Sequence, residues 1–191
     1  VPPVGFDAGL RELCDKHGIL LIFDEVQTGV GRTGKMFAWQ HTGVRPDILT
    51  LAKGIASGLP LGLVVASQQV MEKWPPGSHA NTYGGNPLCC AAALATLDLV
   101  EKSFAADAER MGSRALARLR GLAQKYPTIG GLPGRGLMFG VELVKNRDSK
   151  APAKELAMKV VNRAFHNGLL LLECGASGIR PDRPAGRDGG G

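Results

Sequence analysis

Long hydrophobic runs and aromatic residues are scarce in this 191-residue chain, in which Phe, Trp and Tyr together make up 5%. The longest apolar stretches, Gly18–Phe23 and Leu88–Leu97, are far shorter than the ~18–20 residues of a transmembrane helix, so we expect no membrane partner. No secretory signal peptide opens the chain. Because the sequence begins at Val1 and not at methionine, we expect the natural N-terminus to lie upstream.

Paired cysteines are also lacking. The chain has four cysteines, Cys14, Cys89, Cys90 and Cys174, and no Cys-x-x-Cys spacing. Cys89 and Cys90 are adjacent, in a run of alanine and leucine. This pattern argues against a zinc site or a disulfide framework. We therefore expect no metal, and buried, reduced thiols in a cytoplasmic protein.

The positive charge has no aromatic residues beside it. The formal net charge is +6, and Arg110, Arg114 and Arg118 lie at helical spacing on one face of a charged segment. A solvated helix face explains them more simply than a phosphate-binding surface does. Without interleaved aromatics there is no stacking platform for single strands, and we expect no nucleic-acid partner.

Glycine is abundant, with 27 residues in a soluble, globular composition, and short apolar runs lie between the glycine-rich segments. Ile19–Phe23 is a continuous apolar run, typical of a strand buried on both faces of a parallel sheet. Ile48–Ala52 and Gly62–Ser67 are the next two predicted strands. Asp24 and Lys53 follow the first two strands, so both are expected at the carboxyl edge, where open α/β sheets bind ligands.

A second, smaller domain is predicted after residue 103. Asn86-Pro87 is a helix start signal, and the helix is expected to continue to Glu101. Beyond it the pattern predicts a charged helix, then a strand, a helix and a strand, at 105–125, 137–144, 153–167 and 169–173. The predicted domains are thus 1–103 and 104–180. Residues 181–191 lack an apolar pattern and are expected to be disordered.

A P-loop NTPase is a second, weaker interpretation, in which the run from Leu20 to Glu25 would be the acidic strand. Gly29-x-x-x-x-Gly34-Lys35 comes close to the phosphate-binding loop motif of that class. Met36, however, stands where a magnesium-binding Ser or Thr is required, and no apolar strand leads directly into the loop. We reject this interpretation.

Lys53 has two explanations as a lysine that ends a buried strand. Its ammonium group can simply reach water. Alternatively, desolvation lowers its pKa, and the free amine forms a Schiff base with an aldehyde. A nearby carboxylate such as Asp24 would then complete a pyridoxal phosphate site by holding the ring nitrogen protonated. Asp24 can also be an ordinary loop-entry acid or helix cap.

Three motifs occur in order and carry a family resemblance: FDEVQTGVGRTG at 23–34, PDILTLAKG at 46–54 and NTYGGNP at 81–87. Together they resemble the class III pyridoxal-phosphate aminotransferases, the group that contains 4-aminobutyrate and acetylornithine aminotransferases. The resemblance runs from about Val4 to Arg180. It implies a fold type I α/β architecture, with part of the large-domain parallel sheet followed by an incomplete, smaller C-terminal α/β domain.

The resemblance also implies roles for individual residues. Lys53 matches the lysine that forms the Schiff base and shuttles the proton, and Asp24 matches the acid paired with the pyridinium nitrogen. Gln27 matches the side chain that touches the ring hydroxyl. Thr82 matches the threonine that binds the cofactor phosphate of a partner subunit, which implies a homodimer. Arg180 stands where the family often binds a substrate carboxylate, although a solvated tail arginine explains it equally well.

The implied reaction moves an amino group from an amino acid or an ω-amino acid such as 4-aminobutyrate to a 2-oxo acid such as 2-oxoglutarate or pyruvate. A related aminomutase or racemase, or a catalytically inactive fragment, remains an alternative. Family members carry an N-terminal half with a phosphate loop and a ring-stacking aromatic, and they continue differently after Arg180. We therefore expect this chain by itself to be poorly soluble, to bind the cofactor weakly and to lack turnover.

Overall fold

The computed structural model describes residues 2–181, which form two compact units, residues 2–106 and 107–181. The division lies shortly after residue 103, where the sequence predicts a boundary. Among the described residues, no helix has both the length and the apolar character that crossing a membrane requires. The two units are described in turn.

The N-terminal unit alternates short strands and helices. In chain order they are α1 (Phe6–His17), β1 (Ile22–Asp24), β2 (Ile48–Leu51), β3 (Leu63–Ala66), α2 (Gln68–Met71) and α3 (Pro87–Leu99). Two 3₁₀ turns, Ala38–His41 and Lys53–Ala56, lie in the connections that follow β1 and β2. A π-helical turn, Val100–Phe104, leads from α3 into α4 (Ala105–Lys125).

The sheet of this unit has the strand order β1-β2-β3. β1 and β2 are parallel, as predicted, with Asp24 opposite Thr50. β3 runs antiparallel to β2, so the sheet is mixed. The connection between β2 and β3, residues 52–62, is shorter than the dozen or more residues that a parallel crossover needs, which explains the reversal.

The first strand is less buried than its continuous apolar sequence predicts. Ile22 is 56% exposed, whereas Leu21 is 7% exposed. The expectation of a strand buried on both faces was therefore wrong for Ile22, and for Ile19 and Leu20, which are 58% and 51% exposed and precede β1. In the described sheet β1 is an edge strand that pairs with β2 alone.

Helix α3 begins as the sequence predicts. The Asn86 side chain accepts a hydrogen bond from the Cys89 amide at 2.9 Å, and Pro87 occupies the first helical turn. Apart from Thr96 and Asp98 the helix consists of apolar residues, and Ala93 packs with Leu49, Leu51 and Ile55 in the core of the unit.

The prediction that all four cysteines are buried was wrong. Cys89 is buried, Cys90 is exposed, and Cys14 and Cys174 are half-buried, although all four are free thiols. Cys89 and Cys90 are neighbours on α3, so they lie about 100° apart around the helix axis and only one of them faces the core.

Asp47 holds the entrance to β2 in place. Its Oδ2 atom accepts hydrogen bonds from the Leu21 amide at 2.7 Å and from the Arg11 guanidinium at 2.8 Å. The Leu21 amide, and then the Arg11 side chain, lower the pKa of Asp47 below its ordinary value of 3.8. Because the folded state favours the charged carboxylate, Asp47 stabilises the fold above pH 3.8, and this contribution is lost as the pH falls through the lowered pKa.

We expect Asp47→Asn to reduce the free energy of unfolding at neutral pH by about 1 kcal/mol, because the charge-assisted bonds are lost. At an acid pH below the lowered pKa the difference between the variant and the wild type should disappear, since the wild-type carboxyl is then protonated as well. Thermal unfolding at the two pH values measures this. An equal difference at both would contradict the assigned cause.

The C-terminal unit contains an antiparallel sheet, a hairpin and a helix. Its elements after α4 are β4 (Ile129–Gly131), β5 (Gly134–Arg135), β6 (Met138–Phe139), β7 (Val141–Leu143), α5 (Lys154–His166), β8 (Leu171–Cys174) and β9 (Gly178–Pro181). The sheet order is β4-β7-β9-β8, and β5 pairs with β6. α5 covers the sheet, and its Ala157 packs against Val141, Leu143 and Ile179.

Two features of this unit differ from the sequence-based expectation. The single strand predicted at 137–144 is interrupted at Gly140, because β6 pairs with β5 whereas β7 pairs with β4 and β9. Strand β9 was not predicted, and its last residue, Pro181, was assigned to a disordered tail. The rest of that tail, residues 182–191, lies outside the described residues.

Gly112 is a position in α4 where a side chain has no room. A β-carbon there would overlap the backbone carbonyl of Gly136, whereas one at Gly121, further along the same helix, would meet nothing within 4 Å. We expect Gly112→Ala to destabilise the protein by about 3 kcal/mol through overpacking. Gly121→Ala, the matched control, should stabilise it by about 1 kcal/mol through helix propensity. Equal melting temperatures for the two variants would contradict this packing.

Candidate active site

Two residues with opposite charge follow or end the two parallel strands at their carboxyl edge. Asp24 is the last residue of β1, and Lys53 lies two positions beyond the end of β2. Because β1 and β2 are parallel and pair in register, both side chains leave the sheet at the same edge. The structure thus brings together the two residues on which the sequence-based prediction depends most.

The Asp24 carboxylate is held by one of its two oxygens. Oδ1 accepts hydrogen bonds from the Val26 amide at 3.0 Å and from the Thr50 hydroxyl at 3.3 Å. Among the hydrogen bonds within residues 2–181, none reaches Oδ2, and the side chain is exposed. A carboxylate fixed in this way, with its second oxygen open, fits a cationic N–H donor such as a protonated ring nitrogen.

Lys53 has an unusual backbone conformation. Its φ of +50° lies in the left-handed region, which costs a residue other than glycine about 1–2 kcal/mol. Buried residues fix the chain on both sides, with Leu51 before it and Ile55, 1% exposed, after it. The side chain itself is exposed. A lysine therefore occupies a position whose backbone conformation glycine would adopt more easily.

The 3₁₀ turn that starts at Lys53 is joined to α3. The hydroxyls of Ser57 and Thr96 lie 2.8 Å apart, and the Thr96 hydroxyl also donates to the Ala92 carbonyl at 2.8 Å. Thr96 is buried, so this contact is shielded from water. The lysine therefore stands on a turn that is anchored to the core of the unit.

Gln27 lies three residues after Asp24, in a tight turn. The Gly29 amide donates to the Glu25 carbonyl at 3.0 Å and closes this turn. A β-carbon at Gly29 would lie only 2.9 Å from that carbonyl oxygen, so the turn requires glycine there. The Gln27 side chain is exposed, and it lies in the turn that directly follows β1 and Asp24.

Glu25 is a site residue that the sequence analysis missed. It is 3% exposed, and its carboxylate accepts hydrogen bonds from the amides of Ala38 at 2.6 Å and Trp39 at 2.8 Å. One sequence signal could have found it. Successive residues of a strand face opposite sides, so if Asp24 points to the ligand edge, its neighbour must point inward and find partners there.

Thr82 and Arg180 lie on other elements of the chain than Asp24 and Lys53. Thr82 lies in an exposed turn that precedes α3, and among the described residues no hydrogen bond joins it to Asp24, Gln27 or Lys53. Arg180 belongs to the other unit, where it lies half-buried in β9 opposite Leu172. Their roles remain predictions from the family resemblance.

Comparison with known sequences agrees with the family that the three motifs resemble. Residues 1–184 match the profile of the family described as "Aminotransferase class-III". The chain is 46% identical over 172 residues to a leucine/methionine racemase from Thermococcus litoralis, covering 90% of this chain and 39% of the racemase. It is 44% identical over 167 residues to the 4-aminobutyrate aminotransferase GabT of Escherichia coli, covering 87% of this chain and 39% of GabT. The chain thus spans about two fifths of the length of these relatives.

Solved structures agree with the fold. A Bacillus anthracis aminotransferase superposes with a TM-score of 0.91 at 34% identity, covering 99% of this chain and 45% of that chain. An amine transaminase from an uncultivated Pseudomonas species, solved in its "PLP-bound (internal aldimine) form", gives 0.87 at 38% identity, with 94% and 43% covered. These matches confirm the expected α/β architecture, a partial fold type I fragment. Together with the matching profile, they show that the chain belongs to the class-III aminotransferase family.

Proposed function

We propose that the complete protein carrying this chain is a pyridoxal-phosphate-dependent aminotransferase that acts on an amino acid or ω-amino acid and a 2-oxo acid. The observation that carries this proposal is the placement of Lys53 and Asp24 on the ends of adjacent parallel strands. The positive φ of Lys53 supports it, because the fold keeps a strained lysine where glycine would be easier. Family membership and PLP-bound structural neighbours support the cofactor.

The residues present fit that cofactor, which supplies an electron sink for the carbanion of the substrate when bound. Asp24, fixed through Oδ1, would hold a proton on the ring nitrogen with its open Oδ2. Lys53 Nζ would be the point of covalent attachment and, once free, would move a proton at the α carbon of the substrate. The exposed position of both side chains leaves them accessible to a ligand at the edge of the sheet.

The other predicted contacts belong to the same proposal. Gln27 would bind the ring hydroxyl, and Thr82 would bind the phosphate of a partner subunit in a homodimer. Arg180 would bind the carboxylate of the substrate through two of its guanidinium nitrogens. We expect the complete protein to work in the cytoplasm. These assignments depend on the family resemblance.

Racemisation of a hydrophobic amino acid is the second candidate. It is favoured by one observation, the 46% identity to a protein named leucine/methionine racemase. Proton removal and return at the α carbon are common to both reactions, so Lys53 and Asp24 would serve either. The difference lies in whether the amino group leaves the substrate.

One experiment tests both candidates. The complete polypeptide is loaded with pyridoxal phosphate and incubated with single amino donors, with and without a 2-oxo acid. An aminotransferase forms a new amino acid only when the 2-oxo acid is present, whereas a racemase converts L-leucine or L-methionine to the D form without it. Chiral chromatography separates the outcomes. Failure of the wild-type protein to bind the cofactor would contradict both.

A further inference from the structure

A single buried carboxylate closes the loop that follows β1. Glu25 leaves the strand directly after Asp24 and faces inward, and it holds the amides of Ala38 and Trp39 at the far end of the loop. Ala38 lies thirteen positions after Glu25 along the chain. The loop carries Gln27 and lies next to the Asp24 carboxylate.

The main chain of Glu25 adds contacts to two more elements. Its amide donates to the Thr50 carbonyl of β2 at 3.0 Å, and its carbonyl accepts from the Gly29 amide, also at 3.0 Å. Glu25 thus links β2, the turn that holds Gln27 and the 3₁₀ turn that begins at Ala38. Movement of its side chain would release the loop, while its backbone would still pair with β2.

A carboxylate is the side chain suited to this place. Both of its oxygens accept hydrogen bonds, and both partners here are backbone N–H donors. Glutamine has the same shape, but it offers one acceptor oxygen and turns an NH₂ group toward the second amide. Two donors would then face each other in a buried position, where an unpaired polar group is strongly destabilising.

We infer that Glu25 is a positioning residue for the cofactor site, acting through the loop at 26–37 to fix Gln27 and the approach to Asp24. This inference rests on the proposed function. The role of Glu25 goes beyond stabilising the fold. Loss of its carboxylate weakens cofactor binding more than the accompanying loss of stability can explain.

The test compares Glu25→Gln with Asp47→Asn in the complete polypeptide. Asp47 is a matched control, because its carboxylate also accepts a backbone amide, that of Leu21, but at the entrance of the strands and not at their carboxyl edge. We expect Glu25→Gln to raise the dissociation constant for pyridoxal phosphate about tenfold, and Asp47→Asn to change it less than twofold. The pH dependence of the absorption of the bound cofactor should shift only in Glu25→Gln.

Two further readouts separate the possible failures. In the cofactor-free protein, hydrogen exchange of the segment 26–39 should accelerate in Glu25→Gln and remain unchanged in Asp47→Asn. If Glu25→Gln does not fold, Glu25→Asp keeps the charge but shortens the reach, and it should show the same pattern. Equal dissociation constants for wild type and Glu25 variants, or an equal rise in Asp47→Asn, overturn the inference. Absence of cofactor binding in the wild type overturns the proposed function instead.

Discussion

In the complete polypeptide, Lys53→Ala is expected to abolish covalent capture of pyridoxal phosphate by borohydride and to reduce turnover to background. The reason is chemical, because Lys53 is the amine that follows the end of β2, at the edge of the sheet where β1 ends with Asp24. Stability should be unchanged, since alanine and lysine meet the same backbone strain at a φ of +50°. The measurement is peptide mapping after reduction, together with thermal unfolding.

Lys53→Gly provides the matched comparison. Glycine adopts positive φ without strain, so this variant should lose cofactor capture just as completely while its stability stays equal or rises by about 1 kcal/mol. A loss of capture together with a preserved or raised melting temperature separates chemistry from folding. Capture of the cofactor on another lysine of the wild-type protein would contradict the assignment.

Asp24→Asn is expected to leave covalent attachment at Lys53 intact while turnover falls by roughly 10²–10³-fold. Asparagine keeps an acceptor oxygen for the Val26 amide and the Thr50 hydroxyl, so the local structure should be maintained. What is lost is the negative charge at the open oxygen, which would hold the proton on the ring nitrogen. Steady-state kinetics and the absorption spectrum of the loaded protein give the two measurements.

The control for this substitution is Asp98→Asn. Asp98 is an exposed aspartate on α3 whose only charge partner among the described residues is Lys102, at 3.3 Å. Its replacement removes the same charge from the protein without touching the sheet edge, so turnover should stay within about twofold. Near-normal turnover in Asp24→Asn would show that Asp24 does not act on the cofactor.

Local signals predicted the parts of the fold that depend on neighbouring residues. The apolar run that ends at Asp24 and the one that ends near Lys53 became β1 and β2, and Asn86 with Pro87 began α3. In each case the information lies within a few residues: an apolar stretch, a capping side chain or a proline at the first turn. The parallel pairing that joins the two strand ends also followed from the length of their connection.

The remaining features depend on partners distant in sequence. The exposure of Ile22 and the pairing of β9 are set by which strand lies beside which, and no local pattern records that. Glu25 was missed for the same reason, because its partners lie 13 and 14 residues away. The family resemblance predicted Asp24, Lys53 and Gln27 as site residues from their motifs. The hydrogen bonds by which Glu25 holds the loop at 26–37 are visible only in the structure.

The left-handed backbone at Lys53 has a consequence for how copies of this gene would change over generations. While the amine is needed, selection keeps lysine at a position where the backbone favours glycine or asparagine. In a lineage that no longer uses the reaction, that selection ends and the conformational preference alone decides. We therefore expect decayed relatives to drift toward glycine or asparagine at this position, which would mark the loss of activity in a sequence before any assay is made.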